Sequence, residues 1–290
     1  MIVFSFIIVT YNSVQLIEDC ISSIINFADI PQNQFEIIVV DNSNDENHQV
    51  LKKLLKEKYS TILLIHNSKN GGYGQGNNIG VTNSRGDYIC IMNPDVRLSQ
   101  PLLQDASRKF LQDENLAMFS YRQSGGANIS FFTKPEYKHP FLDKIFTKIK
   151  NKYGWFSPVK DYLSGAFFFI RKSDLEAINF FDENIFLYFE EPDISNRLLK
   201  KGRKIIWDSS KKYIHLNGSR EYNEFAFNVE MKSLLYYIIK FNLNRNQILK
   251  NYLREYRFNL LLFTILGNAR SITKTQREIG LMKTIFNEIE

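Results

Sequence analysis

The sequence lacks the features that mark several large classes of protein. Its only cysteines are Cys20 and Cys90, each inside an apolar stretch, so neither a disulfide scaffold nor a cysteine metal site is indicated. The longest apolar run beyond the N-terminus, residues 260–266, is too short to cross a bilayer. Residues 1–9 are apolar but carry no basic leader and no small-residue cleavage site, which favours a buried strand over a signal peptide. We therefore expect a cytoplasmic protein.

The composition fits neither a disordered nor a fibrous chain. Of the 290 residues, 44% are hydrophobic and 23% are charged, values close to the globular average. A chain of this length buries roughly 75% of its unfolded surface, which provides a substantial core. The sequence contains no internal repeat and no low-complexity tract. One large domain, or one large domain with a small appendage, is the expected organisation.

The first hundred residues alternate between β-branched runs and helical patterns, which is typical of βαβ units that form a parallel sheet. Strands are predicted at residues 2–9, 35–40, 62–65 and 88–92. Apolar residues at three- and four-residue spacing predict a helix after the first strand, and residues 50–55 lie in a second helix. Ligands of such sheets bind beyond the carboxyl ends of the strands, so we expect a site at that edge.

Three polar segments directly follow predicted strands and are the first candidates for this site. They are residues 10–12, 41–43 and 93–95. The carboxylate of Asp41 is predicted to be exposed at its strand end, where it can accept hydrogen bonds from a ribose or a base. The alternative for Asp41 is a helix cap for a segment that starts near Asn44.

Two further signals keep more than one interpretation open. Asp95 could hold Mg²⁺ or Mn²⁺ beside a diphosphate, although Asn93-Pro94-Asp95 is also a common turn sequence. The glycine-rich residues 71–80 follow the third strand and lead into a helix. These glycines would let backbone amides approach a ligand, or they would only form a turn. Their position after the third strand and the missing Lys-Ser/Thr pair disfavour a dinucleotide fold and a P-loop.

The middle of the chain is less regular. Residues 116–122 and 129–132 are predicted strands, and residues 134–160 are a Lys-rich surface excursion. Residues 162–170 are predicted to form one buried strand, in which Gly165 permits a close approach.

Two adjacent acids, Glu190 and Glu191, open the next predicted helix, which ends at Gly202. Acids suit the positive end of a helix dipole, which is the structural explanation for both. Adjacent carboxylates need not face the same way, so one can act as a general base while the other caps the helix. His215 lies in an apolar stretch, where a structural histidine is the more common occurrence.

The C-terminal quarter carries most of the positive charge. Residues 225–290 contain ten Lys/Arg against five Asp/Glu, interleaved with apolar runs. Helices of this kind can lie on anionic lipid headgroups or a polyanion, or they can present an ordinary solvated face. A nucleic-acid-binding protein is a further hypothesis, but the charges form no recognised module, so we expect no nucleic acid as partner.

In their order and spacing, these segments together resemble the family 2 inverting glycosyltransferases, and most closely the bacterial rhamnosyltransferase-like branch that builds O-antigen and other surface polysaccharides. The resemblance covers residues 1–220. It implies a GT-A fold, an α/β architecture with a mostly parallel central sheet flanked by helices, here with a C-terminal helical extension. The implied parts are a nucleotide-sugar-binding half at residues 1–98, an acceptor-binding half at 99–221 and the extension at 222–290.

The resemblance also implies a role for each matching residue. Glu191 stands where the family places its general base, with Glu190 as a competing candidate, and Asp95 and His215 match its metal site. The acceptor-side residues are Ser164, Gly165, Asp193 and Arg197, the last bracing the helix. The donor-binding residues are Thr10, Tyr11, Asn12, Asp41, Gly72, Tyr73, Gly74, Gly76, Asn77, Asn78 and Asn93.

The implied reaction is metal-assisted single displacement on a nucleotide-diphosphate sugar, with Mg²⁺ or Mn²⁺ as cofactor and a glycan or lipid-linked glycan as acceptor. Family resemblance favours dTDP-rhamnose, with galactose, glucose and other sugars among close relatives. Residues 225–290 would contact the inner face of the cell membrane. Two positions depart from the pattern, because Asn93 replaces an acid of the metal motif and Glu191 replaces the more usual Asp. The weakened motif leaves a catalytically inactive nucleotide-sugar-binding or scaffold subunit as the alternative.

Overall fold

Strands and helices alternate along the chain in the computed structural model, which describes residues 1, 3–126, 128–216 and 223–287. The strands are β1 Phe4–Thr10, β2 Phe35–Asp41, β3 Leu63–His66, β4 Tyr88–Met92, β5 Val96–Leu98, β6 Leu116–Ser124, β7 Phe131–Thr133, β8 Asp161–Leu163, β9 Phe167–Arg171 and β10 Lys204–His215. The helices are α1 Val14–Phe27, α2 Asp45–Lys58, α3 Gly72–Thr82, α4 Leu103–Gln112, α5 Asp143–Tyr153, α6 Lys172–Ala177, α7 Glu190–Lys200, α8 Glu224–Lys240, α9 Arg245–Ile265 and α10 Ala269–Asn287. The strands and helices predicted in the first hundred residues are confirmed.

Eight of the described strands form one sheet in the order β3-β2-β1-β4-β9-β6-β10-β5, and β7 pairs with β8 in a separate two-stranded sheet. Strands β3, β2, β1 and β4 are parallel, as are β6 and β10. Strands β9 and β5 are antiparallel to their neighbours. The prediction of an α/β fold with a mostly parallel sheet is confirmed. The carboxyl ends of β2, β1 and β4 lie side by side, which brings the three polar segments to one edge.

Each face of the sheet buries its own set of apolar side chains, because successive residues of a strand point to opposite faces. On β1, Phe4 and Phe6 enter the core that α1 covers, whereas Ile7 enters the core on the other face. Helices α3 and α7 contribute Val81 and Ile194 to this second core. The sheet is therefore covered on both faces, as parallel strands require.

The middle region differs from the prediction in two places. The predicted single strand at residues 162–170 is two strands, because the chain passes from the two-stranded sheet to the main sheet at Ser164 and Gly165. The Ser164 N–H donates to the Ser130 carbonyl at 2.9 Å, which holds this crossing beside the two-stranded sheet. Both strands are buried, so the apolar pattern did not reveal the break. The predicted irregular excursion at 134–160 contains α5, whose many lysines obscured its short apolar side.

The helices α8, α9 and α10 have a core of their own, which also includes Phe189. Lys240 of α8 forms ion pairs with Asp182, at 2.6 Å, and with Asp193. These buried contacts fasten the C-terminal helices to the segment around α7. Within the described ranges, none of the helices combines the length and hydropathy that a bilayer span needs.

Gly80 of α3 packs so closely on β1 that a Cβ there would overlap the side chain of Ile7. We expect Gly80→Ala to lower the free energy of unfolding by about 1–3 kcal/mol, the usual cost of overpacking a core. The matched control is Gly280→Ala in α10, where nothing lies within 4 Å of the added methyl group. Helix propensity should make that control about 0.5–1 kcal/mol more stable. Urea unfolding followed by circular dichroism measures both, and a Gly80→Ala protein as stable as the native chain would contradict this packing.

Candidate active site

The candidate active site lies at the carboxyl edge of the central strands. The turns after β1 and β2 are joined there, since the Asn42 N–H donates to the Thr10 carbonyl at 2.8 Å. The turn after β4 meets the start of β9, where the Asn93 N–H donates to the Ala166 carbonyl at 2.8 Å. Predicted donor-side and acceptor-side segments therefore adjoin each other at this edge.

The loop after β1 supplies an exposed aromatic ring and an unbonded hydroxyl. Tyr11 is 57% exposed, so its ring is available to stack on a base. Thr10 is buried, and among the described residues its hydroxyl oxygen has no hydrogen-bond partner. The Asn12 N–H donates to Oγ of Ser43 at 2.8 Å, which ties this loop to the turn after β2. A buried hydroxyl without a partner is a group that a ligand can satisfy.

Asp41 does not have the exposed carboxylate that the sequence predicts, because the residue is completely buried. Its Oδ1 accepts the Ser43 N–H at 3.1 Å, and its Oδ2 lies 2.9 Å from Nδ1 of His48. The alternative prediction, a helix cap, is also wrong, since Asn44 caps α2 by accepting the Asn47 N–H. Asp41 instead fixes the turn after β2 through the partners that a buried carboxylate requires.

The predicted glycine cluster lies inside α3 and not in a loop around a ligand. Three of its glycines have close neighbours. A Cβ at Gly72 or Gly76 would overlap Phe186 or Val9, and one at Gly74 would lie 3.2 Å from Phe181. The expectation that these glycines bring backbone amides close to a ligand stays a prediction. They allow α3 to pack closely against β1 and against the segment that precedes α7.

Polar side chains of α3 also join it to the region of the candidate base. Tyr73 donates its hydroxyl to the Gly165 carbonyl at 2.7 Å. Asn78 accepts the Phe181 N–H at 2.9 Å and donates to the carbonyl of the same residue at 3.0 Å. Asn77 is completely buried and donates to the Tyr73 carbonyl at 3.0 Å. These bonds lie within the protein, so direct contact of the three side chains with a donor stays a prediction.

Asp95 and His215 meet where β5 and β10 pair. The register places His215 opposite Val96, and Oδ2 of Asp95 lies 3.2 Å from Nε2 of His215. The imidazole is buried, and neither ring nitrogen has a hydrogen-bond partner in the part of the chain that the structure describes. Arg97 holds the intervening turn by donating to the carbonyls of Pro94 and Val96 at 2.7 and 2.8 Å.

This pair fits a divalent cation as part of a larger set of ligands. A carboxylate oxygen and an imidazole nitrogen are both ligands that Mn²⁺ accepts, and a metal would satisfy the unbonded ring nitrogen. Two side chains do not complete a site, and no group of three or more His, Cys, Asp or Glu suited to a metal occurs among the described residues. Asn93 does not supply a further carboxylate, and the oxygens of a donor diphosphate are suitable ligands for the same ion.

Glu191 rests directly on Gly165, since a Cβ at position 165 would overlap the Glu191 carboxylate. Burial raises the pKa of Glu191 to about 7, although the residue keeps partial access to solvent. Burial and the neighbouring Glu191 charge raise the pKa of Glu190 well above its ordinary value. Both carboxyl groups are therefore harder to ionise than an exposed glutamate, and Glu191 has the pKa nearer to neutrality. The choice between the two as general base stays a prediction.

The helix that carries these acids begins from a strained backbone. Tyr188 and Phe189 have φ angles of 70° and 71°, which bulky residues rarely adopt. Such conformations cost on the order of 1–3 kcal/mol each and persist where the surroundings fix them, as at active sites. One of these surroundings is α8, because Ser233 donates to the Leu187 carbonyl at 2.8 Å.

Asp193 and Arg197, predicted on the acceptor side, belong to a buried ion-pair network. Asp193 is completely buried and pairs with both Arg197 and Lys240. Arg197 also donates to the carbonyls of Ile178 and Phe180, which links α7 to the segment before it. Asp193 has no exposed surface with which to contact an acceptor, contrary to the prediction. It instead joins α7 to α8 through its ion pairs.

Two residues that sequence reasoning did not single out hold the site in place. Arg97 fixes the turn that contains Asp95, and its place two residues further along the chain was a signal for it. Lys240 reaches Asp193 from a helix far away in sequence. Nothing in the sequence relates Lys240 to Asp193, because their pairing depends on how α8 packs against α7.

The chain matches known proteins in sequence. The profile described as "Glycosyl transferase family 2" matches residues 5–178. The chain belongs to this family. Rhamnosyltransferase WbbL of Escherichia coli (strain K12) is 25% identical over 252 residues, which cover 81% of this chain and 91% of that protein. A poly(ribitol-phosphate) beta-glucosyltransferase of Bacillus spizizenii is 28% identical over 149 residues, which cover 50% of this chain but only 23% of that protein.

Solved structures share the fold of this family 2 member. A mannosyltransferase from Pyrobaculum calidifontis, in complex with GDP-Man and Mn²⁺, has a TM-score of 0.61 at 15% identity and covers 97% of this chain and 75% of that chain. TarS 1–349 of S. aureus, in complex with UDP-GlcNAc, has a TM-score of 0.57 at 20% identity, with coverages of 91% and 73%. These likenesses confirm the GT-A expectation. The chain is a glycosyltransferase that moves a sugar from a nucleotide donor.

Proposed function

We propose that this glycosyltransferase inverts the anomeric centre as it moves a hexose from a nucleoside diphosphate to a hydroxyl of a growing surface polysaccharide. The observation that carries the proposal is the state of Glu191. Its carboxylate is held over Gly165, and burial raises its pKa to about 7. A carboxylate poised near neutrality, at the strand edge where a ligand is expected, suits a general base.

The proposed reaction is a single displacement. Glu191 accepts the proton of the acceptor hydroxyl while that oxygen bonds to the anomeric carbon. The bond from this carbon to the diphosphate oxygen breaks, and its electron pair leaves with the nucleoside diphosphate. Attack on the face opposite the leaving group inverts the configuration. No covalent glycosyl-enzyme forms, so one basic carboxylate suffices, and the raised pKa of Glu190 is compatible with the chemistry.

The donor would lie across the edge formed by the turns after β1, β2 and β4. The exposed ring of Tyr11 would stack on the nucleobase of the donor. Asp41 fixes the neighbouring turn by accepting the Ser43 N–H. Asp95 and His215 would hold a divalent cation, which supplies positive charge that stabilises the diphosphate as it departs. Arg97 keeps the Asp95 turn in place through its bonds to backbone carbonyls.

Exchange of Glu191 for Gln removes the proposed base, so we expect a rate lower by about 10²–10⁴-fold with little change in donor affinity. In the native enzyme the rate should fall about tenfold per unit below pH 7, because protonated Glu191 cannot accept a proton. The residual rate of Glu191→Gln should lack this acidic limb. Glu190→Gln is the matched control and should retain it. If the pH–rate profile of Glu190→Gln loses its acidic limb while that of Glu191→Gln stays native, Glu190 is the base instead.

Asp95→Ala and His215→Ala test the metal assignment. Each should weaken Mn²⁺ binding in the presence of dTDP by at least about tenfold, as losses at metal sites do. Electron paramagnetic resonance of free Mn²⁺ measures the affinity without any need for turnover. The exposed Asp87 provides the control Asp87→Ala, which should bind as the native chain does. Native affinity in both site variants would reject this pair as ligands.

For the donor we propose dTDP-rhamnose. The proposal is supported by the rhamnosyltransferase relative, which matches along 91% of its own length. Thermal unfolding with a panel of UDP-, dTDP- and GDP-sugars and Mn²⁺ tests it, since a bound ligand stabilises the folded state in proportion to the logarithm of its concentration over Kd. We expect the largest shift with dTDP-rhamnose. A larger shift with another sugar nucleotide would reassign the donor.

We also propose that the enzyme works at the cytoplasmic face of the cell membrane, on a lipid-linked glycan. The turn between α9 and α10 leaves large apolar side chains in solvent, with Leu261, Ile265 and Leu266 exposed by 57%, 71% and 75%. Arg257 and Arg270 are exposed on the same two helices. Apolar side chains flanked by cations suit an anionic lipid surface.

The double variant Leu261→Ser/Ile265→Ser tests this contact. It should sediment less than the native protein with vesicles of phosphatidylethanolamine and phosphatidylglycerol, because it loses apolar surface for the acyl region. The control Val50→Ser/Leu111→Ser removes apolar side chains that are exposed by 54% and 75% elsewhere, and it should sediment as the native protein does. Equal sedimentation of all three proteins would contradict the proposed contact.

A further inference from the structure

An open cavity of about 330 Å³ lies between the end of β6 and helix α5. Three cationic side chains line it, Arg122, Lys148 and Lys152. The other lining residues carry neutral hydroxyl and amide groups, and none of the residues that line the cavity is acidic. The cavity therefore concentrates positive charge beside groups that can donate hydrogen bonds.

These cations have no carboxylate partner among the described residues. Other arginines within residues 1–216 each lie within 4 Å of a carboxylate: Arg85, Arg97, Arg108, Arg171, Arg197 and Arg203. Lys148 and Lys152 stand four positions apart on α5, a spacing at which like charges repel. Three unpaired cations at one cavity oppose folding slightly, and an anion between them would relieve the repulsion.

The backbone around the cavity is fixed by a buried amide. Asn151 of α5 is buried, and its Oδ1 accepts the Ser130 N–H at 2.7 Å and the Phe131 N–H at 3.3 Å. Its Nδ2 donates to the carbonyls of Phe131 and Thr147, each at 2.9 Å. These four bonds hold α5, which carries both lysines, against the strand that follows β6.

The cavity adjoins the proposed reaction centre through two backbone contacts. Ser124, at the end of β6, pairs with Ile214, which precedes His215. Ser130 in the cavity wall accepts the N–H of Ser164, the neighbour of Gly165. In the proposed function, Asp95 and His215 hold the divalent cation that binds the donor diphosphate. A second anion, bound in this cavity, would therefore belong to the acceptor.

We propose that Arg122, Lys148 and Lys152 form a subsite for a phosphate or diphosphate group of the acceptor. The inference rests on the proposed function and narrows the acceptor to an anionic, phosphate-bearing glycan. Guanidinium and ammonium groups bind phosphate oxygens through charge-assisted hydrogen bonds. The phosphate could be the diphosphate of a lipid carrier or a phosphodiester within the glycan chain, and the chemistry of recognition is shared.

Both tryptophans of the chain provide a local probe of this cavity. The guanidinium of Arg122 lies 5.5 Å from the centre of the Trp207 ring, and Trp155 follows shortly after Lys152. Titration of tryptophan emission with inorganic pyrophosphate should therefore give a saturable change. The same titration is repeated with farnesyl diphosphate and with a ribitol phosphate oligomer. A lower Kd for the first identifies a lipid carrier as the source of the phosphate, and a lower Kd for the second identifies the glycan chain.

The triple variant Arg122→Gln/Lys148→Gln/Lys152→Gln should bind pyrophosphate about tenfold more weakly or worse, as losses of charged hydrogen bonds do. The control Lys52→Gln/Lys53→Gln/Lys56→Gln removes the same charge from exposed positions of α2 and should keep the native Kd. Equal Kd values for the two variants, or no saturable change with any ligand, would overturn the proposal. Donor turnover by the native enzyme is measured separately, and its absence would reject the proposed function whatever the phosphate titrations give.

Discussion

The carboxylate of Glu191 lies against the backbone of Gly165, where a Cβ would overlap it. The carbonyl oxygen of the same glycine accepts a hydrogen bond from the Tyr73 hydroxyl at 2.7 Å. The Tyr73 N–H in turn donates to the Phe186 carbonyl at 3.0 Å, just before the strained entry to α7. Helix α3, the strand crossing at Gly165 and helix α7 therefore meet at one point, which links the proposed donor side to the proposed base.

The C-terminal helices are part of this arrangement. The matched family region ends at residue 178, whereas Glu191 and His215 lie beyond it. Helix α8 secures the base segment from outside, through Ser233 at the Leu187 carbonyl and Lys240 at Asp193. The backbone before α7 is strained, and these contacts help to offset the conformational free energy of that strain. The extension thus holds the segment that carries the proposed base.

Much of this could be predicted from the sequence, because strand and helix periods are local properties. The βαβ pattern placed Thr10, Asp41 and Asp95 at strand ends, and neighbouring parallel strands brought those ends to one edge. The burial of Asp41 was not predictable, since it depends on His48 from the following helix. Nor did the glycines of α3 reveal their neighbours, because a glycine permits close approach to a ligand and to protein alike. Long-range contacts such as Lys240 with Asp193 appear only when the fold is known.

The central claim is that Gly165 sets the position of the Glu191 carboxylate, and Gly165→Ala tests it most directly. The added methyl group must displace that carboxylate. We predict a kcat at least about 10²-fold lower, the scale on which a misplaced catalytic group acts, with the Kd for the nucleoside diphosphate within about twofold of native. A Gly165→Ala enzyme that folds and retains the native kcat would contradict the account.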